Sequence, residues 1–305
     1  MTDTQTVSQI SGAALLPHGA TDPRLRKLQL AEYDLMCRFA DICESQGFRY
    51  YLLGGTLLGA VRHGGFIPWD DDVDVCLPRP DYDAFLAYVQ ANPQALMRED
   101  DACTIKVLSI YNNKEYRQGM AKITSNAVRI VNNSADAERL EDAWIDLIPL
   151  DGFPTAPLAA LVHKVRLSWW KVVDALTEFE YVVDTKRKRG ALGTIAVKTL
   201  GVLAKVVHPY GGNFNRVLLK WDAALRKYPY EQSELALNLF AARGFSELFA
   251  KKDLGAGSLV RFEDRNFMAP ENIDAVLTCI YGPDYMTPPP ADNRNWHNST
   301  VLADK

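Results

Sequence analysis

One stretch constrains this chain more than any other: LLGGTLLGAVRHGGFIPWDDDVDVCLPRP, residues 52–80. The apolar run FRYYLL before the glycines reads as a strand that ends at Gly54 and Gly55. TLLGAVRH after them reads as a short helix with Thr56 as its N-cap. Pro68 then breaks the chain, Asp70, Asp71, Asp72 and Asp74 crowd together, and VDVCL reads as a second strand. Residues two apart on a strand face the same side, so Asp72 and Asp74 project together, about 6–7 Å apart at ~3.3 Å per residue, while Val73 and Val75 face the core. A soluble chain has little reason to pair carboxylates beside a buried strand unless something positive joins them.

Two carboxylates so placed suit Mg²⁺ (or Mn²⁺), which takes oxygen ligands and shares them with substrate phosphates. Gly54 and Gly55 let backbone approach a ligand closely, and the free N–H groups of the helix opening near Thr56 suit an anion. A third acidic position, Asp146 in WIDLIP, stands between apolar neighbours on another expected strand. Strand, glycines, helix and D-x-D in that order describe a phosphate-and-metal site, with Asp70 and Asp71 left to the loop.

The remaining chain supplies a frame for such a site. DPRLRKLQLAEYDLMCRFADICESQG has helical spacing from Pro23 to its stop at Gly47. PDYDAFLAYVQA returns to helix, TIKVLSIY and NAVRIVNN read as strands, and AWIDLIPLDGFP is a strand running into a turn. Past Pro157 the pattern becomes helical over 158–183, 191–207 and 213–227. The expected organisation is a loose leader over 1–21, an α/β core with a mixed sheet over 22–156, and a mainly helical region over 157–305. A formal charge of −4 speaks against general nucleic-acid binding. Cys37, Cys43, Cys76, Cys103 and Cys279 are scattered without a C-x-x-C pair, and the first residues lack a basic and apolar leader. The expectation is therefore a reduced, cytoplasmic protein without structural zinc.

GGTLLGAVRHGGFIPWDDDVDV closely resembles the central motif of the LicD family, bacterial phosphorylcholine transferases with fukutin and fukutin-related proteins as distant relatives. LRKLQL, PRPDYDAFL, WIDLIPLDG and FEDRNFMAPENIDAVLTCIYGPDYMTPPPADNRNWH extend the resemblance over most of residues 24–297. It implies a nucleotidyltransferase-like core that moves a phospho-alcohol from a CDP-linked donor, CDP-choline foremost, to a glycan hydroxyl with release of CMP. It also implies metal ligands at Asp72, Asp74 and Asp146, and a glycine–helix motif at Gly54, Gly55 and Thr56. Arg62 and His63 fall on the family's VRH, where they would meet the diphosphate. Arg294 and His297 fall on its closing basic and histidine positions, on a tail expected to fold back over the donor. The cysteine-rich element associated with fukutin-related proteins is missing, so neither zinc nor their substrate is carried over. Trp69, Tyr111, Tyr116, Trp144, Tyr281 and Tyr285 are the aromatic candidates for a quaternary ammonium headgroup.

Between His163 and Lys205 basic residues outnumber acidic ones, with Lys186, Arg187, Lys188 and Arg189 in a row. Leu158, Leu161, Val162, Val165, Trp169, Val172 and Leu176 share one helical face. A basic amphipathic pair of helices with tryptophans can lie in an anionic headgroup layer, where a lipid-linked oligosaccharide acceptor would be presented. The competing expectation packs that face on the core. Two other functions share the motif: a nucleotidyltransferase acting on an NTP, which would release pyrophosphate, and a catalytically inactive glycan- or nucleotide-binding module.

Overall fold

The computed structural model describes residues 16–132, 139–177, 179, 198–205, 214–240, 244–290, 294 and 299–301. Its first helix, α1 (Pro23–Gln46), starts where the Asp22 side chain accepts from Arg24 N and ends at Gly47. Its inner face carries Leu28, Leu35, Met36 and Phe39, all fully buried. β1 (Tyr51–Leu52) leads into α2 (Gly54–His63), and β2 (Asp74–Pro78) leads into α3 (Arg79–Ala91). β3 (Ile105–Leu108), β4 (Ala121–Asn132) and β5 (Arg139–Phe153) complete the first half.

Among the described residues the main sheet runs β1-β2-β5-β4-β10, with β10 (Ser299–Val301) beside β4 and β3 also pairing with β4. β2 and β5 are parallel, and the other pairings are antiparallel. Val73, Val75, Ile145 and Leu147 are fully buried beneath this junction. Burying each is worth ~1.5–3 kcal/mol, and a slip of one residue would turn all of them to the other face, so the register is strongly held. In that register Asp74 lies opposite Asp146.

The expected helices after Pro157 include α4 (Pro157–Thr177), α5 over 198–205 and α6 (Phe214–Leu225). Short strands then join: β6 (Leu235–Leu237) and β7 (Leu248–Ala250) extend the sheet from β5, and β8 (Ser258–Phe262) and β9 (Arg265–Ala269) form a hairpin. α7 (Lys251–Leu254) and α8 (Ile273–Tyr281) lie around them. Of the expected leader, 1–15 lie outside the described residues, whereas Leu16 N and Gly19 N donate to the carbonyls of Arg62 and Phe66 at 2.9 Å. Lys186, Arg187, Lys188, Arg189 and His297 also lie outside the described residues. All five cysteines are free.

The seven-residue apolar face of α4 does not pack on the core. Leu158, Leu161, Val162, Val165, Trp169 and Val172 are 50–74% exposed, and His163 and Leu167 are the residues the helix buries. Helical spacing identified a common face correctly. The face that packs is the neighbouring one, because Leu167 and Ala160 meet Phe153, Leu218 and Trp221.

Candidate active site

Oxygens of Asp72, Asp74 and Asp146 lie within 4.8 Å of one another. Each reaches that point for a local reason. Asp74 opens β2, and its N–H donates to Thr56 Oγ1 at 2.8 Å. Asp146 sits opposite on β5, its N–H donating to the Val73 carbonyl at 2.8 Å. Asp72 is two residues before Asp74, with fully buried Val73 turned the other way. Burial, reinforced by Asp72 and then Asp146, pushes the Asp74 carboxyl well above the usual carboxylate range. Crowded carboxylates of this kind are held together most readily by a cation.

The glycines serve this crowding directly. Gly54 has a φ of +56°, and a Cβ there would sit 2.7 Å from Asp74 Oδ2. A Cβ on Gly55 would sit 2.5 Å from Asp70 Oδ2. The positive end of α2 therefore abuts the carboxylates, which its dipole favours. Thr56 is not the N-cap: the helix begins at Gly54 with Leu53 as its cap residue, and the Thr56 hydroxyl is used across the chain on Asp74 N. The helix is capped three residues earlier than expected because the Leu57 N–H already bonds back to the Leu53 carbonyl at 3.1 Å.

Asp146 is enclosed on its other side. Trp144 Nε1 donates to its Oδ2 at 3.2 Å, and Lys122 Nζ stands 3.5 Å from its Oδ1 and 4.3 Å from the centre of the Trp144 ring. Lys122 follows from register, since it faces Asp146 across β4 and β5. Sequence reading missed it, as a lysine on a strand has no local mark. A donor set made only of carboxylate oxygens fits a hard divalent ion such as Mg²⁺ or Mn²⁺ better than zinc.

Arg62 and His63 lie in the last turn of α2, about 12 Å along the axis from Gly54 at ~1.5 Å per residue. Arg62 is buried, and its Nη1 donates to the Tyr285 carbonyl at 3.0 Å. Burial, with Arg62 alongside, brings His63 down to about 4. The structure thus groups Arg62 with the 281–285 turn, while the His63 ring meets Trp69 edge to face, 6.1 Å between ring centres. Arg294 does return toward the acidic loop, its guanidinium 4.7 Å from the ring centre of Trp69 and its Nε on the Pro289 carbonyl.

The aromatics divide. Trp144 donates to Asp146, Trp69 lies between Arg294 and His63, and Tyr281 is near enough for Asp70 and Asp74 to add to the rise that burial causes in its hydroxyl. Tyr116 is buried in the second core cluster. Tyr111 donates to Asp222, and Tyr285 to Asp274.

Glu32 was not singled out from sequence. It is fully buried on α1, and neither carboxyl oxygen has a hydrogen-bond partner among the described residues. Within α1 it reads as one more polar position, and only the packing of α1 under the acidic loop distinguishes it.

Residues 47–147 match the family model described as LicD/FKTN/FKRP, nucleotidyltransferase domain. The chain is 27% identical over 287 residues, 90% of its length, to the lipopolysaccharide cholinephosphotransferase LicD of Haemophilus influenzae, covering 97% of that protein. A short segment of 34 residues is 62% identical to the ribitol 5-phosphate transferases FKRP of Mus musculus and Homo sapiens, 11% of this chain and 7% of each relative.

Proposed function

Residues 47–147 match the LicD family model, and from that premise we propose that this chain is a metal-dependent transferase moving a phospho-alcohol from a CDP-linked donor to a glycan hydroxyl. The observation that carries the reading is the meeting of Asp72, Asp74 and Asp146 within 4.8 Å at the glycine-bearing start of α2. The relative that matches over nearly its whole length is a cholinephosphotransferase acting on lipopolysaccharide, so phosphocholine is the group we assign and a lipopolysaccharide-type glycan the acceptor.

Asp72, Asp74 and Asp146 would hold Mg²⁺ or Mn²⁺. When bound, that ion neutralises charge on the donor's diphosphate. Gly54 and Gly55 let the Asp74 and Asp70 carboxylates close on the start of α2, whose N-terminal N–H groups would meet the donor's phosphates. The acceptor hydroxyl attacks the distal phosphorus in line, the bond to the bridging oxygen breaks, CMP departs with that bond's electron pair, and the hydroxyl proton passes to the departing phosphate or to water. Asp146 has both oxygens facing donors, Trp144 Nε1 and Lys122 Nζ, which suits it to the role of ligand more than that of proton acceptor. Arg62 holds the 281–285 turn through the Tyr285 carbonyl and so positions the segment that carries Arg294 back to Trp69. His297 is assigned to the same returning tail on the family resemblance.

The test is mass spectrometry of purified protein with Mg²⁺, a panel of CDP-alcohols and a glycan acceptor. CMP together with a phosphocholine-modified glycan is expected. Pyrophosphate from an NTP with nucleotide transfer would turn the reading to a nucleotidyltransferase, and glycan binding without turnover of any donor would turn it to a binding module.

We assign the exposed face of α4 to the surface of an anionic membrane at which a lipid-linked acceptor is presented. No described helix is long and apolar enough to cross a membrane. Leu158, Leu161, Val165 and Trp169 face outward with Lys171 beside them, a combination suited to headgroups. Co-sedimentation with anionic vesicles should be lost on replacing Leu161, Val165 and Trp169 with serine, and weakened by salt. Equal pelleting of wild type and variant would remove this assignment.

A further inference from the structure

The helix that underlies the acidic loop carries a carboxyl group with nothing to hold it. Gln29, fully buried on α1, donates through Nε2 to the carbonyls of Ile67 at 3.2 Å and Asp70 at 2.8 Å, clamping the loop onto the helix. Glu32 lies three residues further along, on the same helical face. It is therefore turned toward the same loop. Its residue exposure is 0%, and both oxygens lack a hydrogen-bond partner among the described residues. The charges that act on it, strongest first, are Asp72, Asp71, Asp70 and Asp146, every one of them acidic.

Burying a carboxyl without a donor is costly even when it is neutral, and far more so when it is charged. A helix interior offers many apolar alternatives at such a position. Packing alone gives no reason for glutamate here, and the neighbours raise the cost. Glu32 is also outside the trio whose oxygens lie within 4.8 Å, so it is not simply a further ligand on the same point. Asp72, half-buried, belongs to the trio and is also the charge that acts most strongly on Glu32, so it is the carboxylate the two groups share.

We propose that Glu32 and Asp72 form a second divalent-cation site beside the Asp72–Asp74–Asp146 site, with Asp72 bridging the two. The inference rests on the reading of that trio as a cation site. A second ion compensates the buried Glu32 charge and gives the orphaned oxygens the partner that the fold does not provide. Ions paired in this way clamp both the attacking and the leaving oxygen in phosphoryl displacement. Glu32 would thus contribute to the chemistry from a helix that lies outside the glycine–aspartate block.

The experiment is a titration of the full chain with Mn²⁺ alone, free ion being read by electron paramagnetic resonance. Wild type should bind two equivalents, with the line broadening of a neighbouring Mn²⁺ pair, and Glu32→Gln should bind one and lose the broadening. Glu32→Asp, which keeps the charge on a shorter side chain, should retain two with a weaker second step. The gain in Tm on adding Mn²⁺ should be smaller for Glu32→Gln than for wild type. One equivalent in both wild type and Glu32→Gln, or two in both, overturns the role of Glu32 and leaves the trio standing. No binding to wild type overturns the trio as well. Should Glu32→Gln fail to fold, the wild-type stoichiometry and Glu32→Asp decide: a wild-type count of one overturns the proposal.

Discussion

Two buried acidic clusters among the described residues are treated in opposite ways. Around Arg79, just past β2, Asp151 receives a two-pronged pair of bonds at 2.7 and 2.6 Å, and Asp222 receives Arg79 Nη1 at 3.0 Å and Arg226 Nε at 2.6 Å. Arg226 also grips Asp83, and Tyr111 completes Asp222 with a bond at 2.6 Å. Bidentate arginine pairing satisfies charge and geometry together. Around Asp74, in contrast, carboxylates face carboxylates, and the fully buried Glu32 has no hydrogen-bond donor among the described residues. The first cluster ties α3, β5 and α6 together and has no capacity left for a ligand. The second has acceptors in excess, and that excess is what a cation and a diphosphate would use. Burial of charge is thus no mark of function by itself; the balance of donors against acceptors is.

The comparison is broken most sharply at Asp74. Asp74→Asn should lower transfer by about 10⁴-fold, equivalent to more than 5 kcal/mol of barrier, while the metal-free protein keeps or gains stability as repulsion is relieved. Stopped product formation with unchanged circular dichroism checks this, and near-normal turnover would refute the cation site. Asp70→Asn should be far milder. At the other cluster the pattern inverts: Arg79→Met should cost about 3 kcal/mol in urea unfolding, because Asp151 and Asp222 are left buried and unpaired. An Arg79→Met protein as stable as wild type would mean that its carboxylates find other partners.

A smaller effect is expected at His163, which lies between the rings of Phe153 at 5.4 Å and Tyr228 at 4.8 Å with neither ring nitrogen hydrogen-bonded among the described residues. Burial brings it down to about 4. Its unfolded form titrates near ~6.5, so between those values the unfolded chain binds more protons and stability falls as pH falls. The loss should approach about 3 kcal/mol near pH 4 and be absent in His163→Phe. Denaturant midpoints at pH 7, 5.5 and 4.5 would show it, and parallel pH profiles for the two proteins would exclude it. Smallest of all, Arg62→Lys keeps the charge but loses the planar guanidinium whose Nη1 bonds the Tyr285 carbonyl, so kcat/KM should fall by roughly tenfold or less with little loss of stability. Unchanged kinetics in both Arg62→Lys and Arg62→Ala would reduce Arg62 to a helix-end cation.

The outline of the catalytic half was legible from local pattern alone. Pro23 and Gly47 bound a helix, a glycine pair ends a strand, and alternation about Val73 and Val75 commits Asp72 and Asp74 to one face. These are rules of neighbouring residues, and backbone geometry enforces them within a few positions. The family resemblance had the same origin, resting on one long contiguous block. What no local rule could supply was partnership across distance. That Asp146 meets Asp74 depends on the parallel register of β2 with β5, and Lys122 reaches it through β4. That Glu32 matters depends on α1 lying beneath the acidic loop. That α4 exposes Trp169 and buries His163 depends on which of two adjacent helical faces finds Phe153 and α6. Hydrophobic periodicity tells a helix which side is apolar, but the complementary surface that covers a side, or leaves it open, exists only once the distant chain has folded against it.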